Sequence, residues 1–204
     1  MSESDPESAR EEIMHATYRA LCEHGYADLT TKAIADESGT STALLHYYFD
    51  TKEDLLVAFL EFLLERLQET VDVEAARDDP PKQLAILVEK LLFGPDDYKD
   101  FQTAMLELRS QAPFNAAYRE QLRKNDREVT KLVADIVDRG IEAGVFRDVD
   151  PDRTARYLVA TIDGARTQWV TLDDDAVLAD VSEELRADLS ERLLVGDRTL
   201  PRPE

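Results

Sequence analysis

Apolar residues recur at intervals of three and four along most of the chain, and no strand-like alternation of apolar and polar positions competes with that rhythm. The first stripe is Ile13, Ala16, Ala20 and Leu21, in a helix that starts near Pro6, after Ser4 or Asp5, and ends at His24-Gly25. Thr30 or Thr31 caps a second helix that closes at Ser38, and a third spans about Thr42 to Tyr48. Thr51-x-x-Asp54 has the form of a capping box and opens a fourth helix running to about Val73. Beyond it, prolines punctuate the pattern. Asp78-Asp79-Pro80-Pro81 starts helix five, Gly94-Pro95 divides it from helix six, and Ala112-Pro113 precedes a long seventh helix reaching Ala143-Gly144. Asp150-Pro151 opens helix eight, and a ninth runs from about Ala176 to Val195, stopping at Gly196 before a Pro-rich tail expected to be disordered. The prediction is an all-α chain of about nine helices with no internal repeat.

Helices two and three are the most informative pair. Ala35 sits where the two helices approach, Gly39 supplies the positive φ of a tight turn, and Ser41 can accept a backbone N–H at the start of helix three. Ile34, Leu44 and Leu45 form the apolar wedge between them. Seven residues are too few for a stable isolated helix, so helix three must be held by its neighbours. It carries Thr42, His46, Tyr47 and Tyr48, side chains suited to nucleic-acid contact.

The run from Gly39 to Leu56 resembles the helix-turn-helix and following helix of the TetR (tetracycline-repressor) family. Gly39, Ser41, Leu45, Phe49, Lys52 and Leu55 meet the family pattern at unbroken spacing. Thr40, His46 and Tyr48 depart from it, a variant resembling the betaine-regulator branch. The resemblance implies a three-helix DNA-binding domain over residues 1–52, a helical effector-binding and dimerisation domain over 53–196, and a tail over 197–204. It implies DNA contacts at Thr31 and Lys32, at Thr42, Ala43 and Leu44, at His46 and Tyr47, and backbone clamps at Tyr48 and Lys52.

The resemblance also implies two further sites. Helices eight and nine would pair with those of a second copy through Leu158, Ile162 and Ala165 on one and Leu178, Val181, Leu185 and Leu189 on the other. Two-fold pairing sets two recognition helices about 34–36 Å apart, or a multiple, in successive major grooves. A small effector of unknown identity would sit between helices four and eight. Phe59, Phe62, Leu63, Phe101, Met105, Tyr118 and Trp169 are its candidate lining, with Arg66, Arg109 and Arg166 to orient it. A helical stripe of aromatics more often builds core than pocket.

Charge complicates this picture. The chain carries 44 Asp and Glu against 24 Lys and Arg, a net −20 over 204 residues. Residues 1–56 hold twelve carboxylates and four cations, a net −8, the wrong sign for attraction to phosphate. One resolution is a salt-rich cytoplasm, where at molar ionic strength the Debye length falls to about 3 Å; seven lysines against seventeen arginines fit such a halophilic surface. The other is an all-helical ligand-binding or scaffold dimer without working DNA recognition.

The remaining classes are thinly represented. The longest apolar stretch, Leu55 to Leu64, is broken by Glu61 and is too short to span a bilayer, and the acidic N-terminus has no apolar signal region, so a cytoplasmic protein with no membrane partner is expected. Single Cys22 forbids an intrachain disulfide, and His15, His24 and His46 lack metal-ligand spacing. With no phosphate loop, nucleophile elbow or His/Cys cluster, no enzyme, metal or cofactor is expected. The sequence therefore points to a DNA-binding regulator, most simply a dimeric repressor released from operator DNA by a small molecule.

Overall fold

The computed structural model describes residues 6–74, 78–93, 98–196 and 199–202. Among them lie nine helices: α1 (Pro6–Asp28), α2 (Thr31–Ser38), α3 (Thr42–Tyr48), α4 (Lys52–Glu74), α5 (Pro80–Leu92), α6 (Tyr98–Gln111), α7 (Ala116–Glu142), α8 (Pro151–Leu172) and α9 (Ala176–Leu193). Their ends follow the expected signals. Thr30 caps α2, Ser41 caps α3, Asp79 caps α5 ahead of its prolines, and Asp150 caps α8 ahead of Pro151. The Gly94-Pro95 break, the Ser4/Asp5 cap and parts of the tail lie outside the described residues.

Packing divides the chain into two compact units, one of residues 1–63 with 96–125, the other of 64–95 with 126–204. This grouping differs from a boundary at residue 52, because α6 and the first part of α7 pack with the N-terminal helices. In the first unit Ile13, Ala16, Ala20 and Leu21 are fully buried with Ile34, Leu45, Leu56, Phe59, Ala104 and Leu108. The α1 stripe thus faces inward as its spacing predicts.

The second unit is built around α5. Every residue from Gln83 to Val88 is buried, as are Leu91 and Leu92, the signature of a helix enclosed on most sides. Val133, Ala134, Ile136 and Val137 of α7 share its core with Ala155, Leu158, Ile162 and Ala165 of α8 and Leu178, Leu185, Leu189 and Leu193 of α9. The segment after α7 closes against the end of α9: Phe146 and Leu194 form an isolated antiparallel bridge, and the Arg147 amide donates to Leu193 O at 2.6 Å.

Two expectations change here. Leu158, Ile162, Ala165, Leu178, Leu185 and Leu189 are at most 5% exposed inside one protomer, with Val181 packed partly buried against them. They cannot form a dimer surface without dismantling that core. Three-and-four spacing identifies a face that must be covered, not what covers it. Likewise the tail is ordered where described. Leu200 is buried, its amide donates to Ser190 Oγ at 2.9 Å, and Arg186 Nη1 donates to Pro201 O at 2.8 Å.

Gly140 sets one tolerance in this unit. A Cβ placed there would lie 2.0 Å from Phe146 Cδ2, so the ring occupies the space that only glycine leaves. Gly140→Ala should expel Phe146 and lower unfolding stability by about 1–3 kcal/mol, the range for overpacking. Urea denaturation followed by circular dichroism measures it; an unchanged midpoint would show that the ring rotates away freely.

Candidate nucleic-acid interface

The α2–α3 unit is assembled by local hydrogen bonds. Thr30 Oγ1 accepts from the Ala33 amide at 3.0 Å, and Gly39, at φ 66°, ends α2 in the left-handed conformation. That reversal lets the Thr40 amide reach Ala35 O at 3.1 Å. Ser41 Oγ then accepts from the Leu44 amide at 3.2 Å, starting α3. After α3, Thr51 and Asp54 complete a reciprocal capping box, with Thr51 N donating to Asp54 Oδ2 and Asp54 N donating to Thr51 Oγ1.

This framework sorts the α3 side chains by face. Leu45 is buried, Leu44 and Tyr48 are half-buried, and Thr42, Ala43, His46 and Tyr47 point outward. Tyr47 is 79% exposed and meets Tyr48 edge to face at 5.2 Å, so it projects from a supported base. Thr31 is half-buried and Lys32 exposed at the start of α2.

The cations divide differently from expectation. Arg19 donates through Nε to Glu37 Oε2 at 3.1 Å and through Nη2 to Glu37 O at 3.0 Å and Glu12 Oε1 at 3.2 Å, tying α1 to α2. Lys52, expected as a phosphate clamp, instead donates to Tyr26 O at 3.1 Å and lies 4.8 Å from the centre of the Tyr26 ring. Burial lowers its pKa, opposed by the Asp28 carboxylate. Its ammonium is turned to the fold, whereas Lys32 of α2 is exposed.

Tyr26 is the junction that sequence reasoning missed. Gly25, at φ 69°, breaks the helical conformation within α1 and leaves the next amide without its usual partner. Glu107 of α6 takes that amide, Tyr26 N to Oε2 at 2.8 Å. The Tyr26 ring meets Tyr118 of α7 edge to face at 6.3 Å. Beside them Asn115 caps α7 through the Tyr118 amide at 3.1 Å and donates to Glu53 in a short contact. Periodicity marks the glycine only as a helix end; the aromatic immediately after it is the signal that points to a junction.

The proposed effector lining is divided between the two units. Phe59, Phe62, Phe101, Met105 and Tyr118 are core of the first unit, with Leu63 packed against them. Arg66 and Arg109 are exposed, while Arg166 and Trp169 belong to the second unit, where Arg166 pairs with Asp163 and Trp169 Nε1 donates to Asp175 Oδ1 at 2.9 Å. Among the described residues, no cluster of His, Cys, Asp or Glu could hold a metal ion, and no helix is long and apolar enough to cross a membrane.

Comparison with known proteins agrees with this geometry. Residues 13–59 match the bacterial regulatory proteins of the tetR family, and residues 80–195 match the C-terminal domain of BetI-type transcriptional repressors. The chain belongs to the TetR family. A TetR transcription regulator from Haloarcula marismortui ATCC 43049 is 45% identical with a TM-score of 0.81, over 92% of this chain and 99% of that one. A putative transcriptional regulator from Saccharomonospora viridis, solved in complex with choline, is 27% identical with a TM-score of 0.76, over 93% and 100% of the two chains. The fatty acid metabolism regulator protein of Bacillus subtilis (strain 168) is 26% identical over 182 residues, covering 85% of this chain and 90% of that protein. Proteins of this family are DNA-binding, ligand-responsive transcriptional regulators; this chain is such a regulator and not an enzyme, and the reading as a scaffold without DNA recognition is not favoured.

The junction makes a pH prediction. Burial foremost, then a hydrogen bond to the Tyr26 hydroxyl and the nearby Glu53 and Asp54 carboxylates, raise the Tyr118 pKa far above its ordinary value. The folded protein therefore keeps a proton that the unfolded chain loses above about pH 10, and stability falls as pH rises through that range. Lowered Lys52 acts with the opposite sign below its own unfolded value. Tyr118→Phe removes the falling contribution, so the stability difference between parent and variant should shrink from pH 8 to pH 11. Urea midpoints at each pH measure it; a constant difference would mean Tyr118 ionises as easily folded as unfolded.

Proposed function

We propose that this regulator reads its operator with the outer face of α3 and works as a homodimeric repressor that a small molecule releases from DNA. The supporting observation is the α3 face itself: Thr42, His46 and Tyr47 stand outward on a helix fixed at both ends by caps and buried at Leu45. Such side chains reach base edges in the major groove, with Ala43 or Leu44 against a thymine methyl. Lys32 and Thr31 supply positioning on phosphate. Residues 1–52 act as the reading domain and 53–196 as the effector-binding and dimerising part, in a cytoplasmic protein.

The dimer surface is assigned to the outer faces of α8 and α9, since their inner stripes are occupied. On α8 the outward residues include Tyr157, Ala160, Gly164, Thr167 and Thr171. A Cβ added at Gly164 would meet nothing within 4 Å in its own protomer, so a partner helix could approach closely there. Gly164→Glu should yield folded monomers by sedimentation with normal helicity, whereas Leu189→Asp should unfold the second unit by burying an unpartnered charge. A fully dimeric Gly164→Glu protein would move the interface elsewhere.

A halophilic setting reconciles the −20 charge with DNA binding, supported by the acidic composition and by the Haloarcula relative. With Arg19 ion-paired to Glu12 and Glu37 and Lys52 turned to Tyr26 O, each reading head offers few unpaired cations for phosphate, and counterion release contributes a slope of only about −0.9 per cation on a log–log salt plot. Operator affinity should therefore change far less with potassium chloride than in a basic repressor. Tyr47→Ala should cost about 1–3 kcal/mol on operator and little on random duplex, while Lys32→Ala should weaken both alike. Fluorescence anisotropy on both DNAs, from low to molar salt, measures these quantities. Equal losses on both duplexes for Tyr47→Ala would remove Tyr47 as a reader, and a steep salt slope in the parent would remove the charge argument.

A further inference from the structure

The α2–α3 reading unit is a loop of chain whose two ends meet. It is entered at Tyr26 and left at Lys52, and Lys52 Nζ donates to Tyr26 O at 3.1 Å. Each end is also held by a side chain from the corner between α6 and α7. At the entry, Glu107 Oε2 accepts from the Tyr26 amide at 2.8 Å; at the exit, Asn115 Nδ2 donates to Glu53 Oε2 in a short contact. All of these residues belong to the first compact unit.

The corner itself is pinned. Arg119 Nη1 donates to Ala112 O at 2.9 Å and to Pro113 O at 3.3 Å, and the Asn115 amide donates to Gln111 O at 2.9 Å. Asn115 Oδ1 caps α7 by accepting from the Tyr118 amide at 3.1 Å, which fixes its side chain and leaves Nδ2 for Glu53. At the other end a Cβ added to Gly25 would lie 3.3 Å from Glu107 Oε2, so the carboxylate closes directly against the glycine. Farther along, α1 meets α6 through apolar faces, with Tyr18 stacked on Phe101 at 4.7 Å. Apolar burial has no preferred direction, whereas a hydrogen bond weakens steeply when its donor and acceptor are misaligned. The polar contacts therefore set where the reading unit stands on α6 and α7.

We propose that Glu107 and Asn115 are positioning residues for operator recognition, acting through Tyr26 and Glu53 to fix both ends of the α2–α3 unit in the orientation that reads bases. Both lie outside the helix-turn-helix and the helix that follows it. The inference rests on the reading of α3 as the base-contacting helix. Base readout needs the α3 side chains at hydrogen-bond distance from base edges, so a displaced reading unit loses its preference for operator before it loses general attachment to duplex DNA.

Two readouts on the full-length protein test it, with circular dichroism showing that each variant is folded at the assay temperature. The first needs no DNA. Nitroxide labels at the exposed positions Asp36→Cys in α2 and Thr103→Cys in α6, with Cys22→Ala and dilution by unlabelled protein, report the spacing of the reading unit and α6 by pulsed electron resonance. The parent should give one narrow distance distribution, and Glu107→Ala should broaden or shift it. Glu107→Gln, which keeps an oxygen for the Tyr26 amide, should restore it; both variants remove the same charge, so their difference isolates the acceptor. The second readout is anisotropy: Glu107→Ala should weaken operator binding about tenfold, the scale of one lost base contact, with little change on random duplex, and Glu107→Gln should bind like the parent. Asn115→Ser keeps a cap for α7 but cannot reach Glu53, and should shift both readouts in the direction of Glu107→Ala. It carries the test alone if Glu107→Ala does not fold. Unchanged distances in the folded variants, unchanged operator affinity, or a Glu107→Gln protein as impaired as Glu107→Ala would each overturn the proposal. A parent without preference for any duplex refutes the reading of α3 instead, and the distances then decide whether the corner fixes the unit.

Discussion

The backbone of Tyr26 is the point on which the first unit depends. Gly25 breaks the conformation of α1 one residue earlier, which puts a peptide N–H and C=O where helix geometry no longer satisfies both. Glu107 takes the amide, Lys52 takes the carbonyl, and Tyr118 packs on the ring. Four helices, α1, α4, α6 and α7, are thereby registered by polar contacts whose partners would be left unsatisfied if any one moved. Helix α3, seven residues long, is held by its caps, by α2 and by the burial of Leu45 rather than by its own hydrogen bonds alone.

Charge takes a different meaning once geometry is considered. The formal −8 of residues 1–56 treats all four cations as available, but Arg19 is consumed in joining α1 to α2 and Lys52 in joining α4 to α1. Arg19 and Lys52 serve the fold, and under the proposed reading recognition falls mainly to neutral side chains. Short-range contacts of hydroxyl, imidazole and aromatic groups depend less on screening than an attractive field does. Under that reading the protein gives up long-range steering and keeps its affinity in concentrated salt.

Much of this was legible in the chain. Prolines 80 and 151 marked helix starts because they follow aspartate caps, and Thr51 with Asp54 marked the start of α4 because the box needs that spacing. The turn at Gly39 and the burial of Leu45 followed from local chemistry in the same way. What periodicity could not supply was the partner of each face: Leu185 and Leu189 show the same spacing whether they meet their own α5 and α7 or a second protomer. Lys52 shows a related limit, since a family pattern places the residue but not the direction of its ammonium.

The bridge between Phe146 and Leu194 makes α8 and α9 two sides of a closed loop, fastened at its base by the Arg147 amide on Leu193 O and the Val195 amide on Val145 O. Closure entropy rises only with the logarithm of loop length, by about 0.6 kcal/mol for each doubling. The far end of that loop, Asp173-Asp174-Asp175, is exposed. Extra residues inserted there would leave the base fastened and both inner stripes seated. The α8–α9 turn is thus the natural point for grafting a tag or a reporter domain, whereas a cut near Phe146 would open the ring itself.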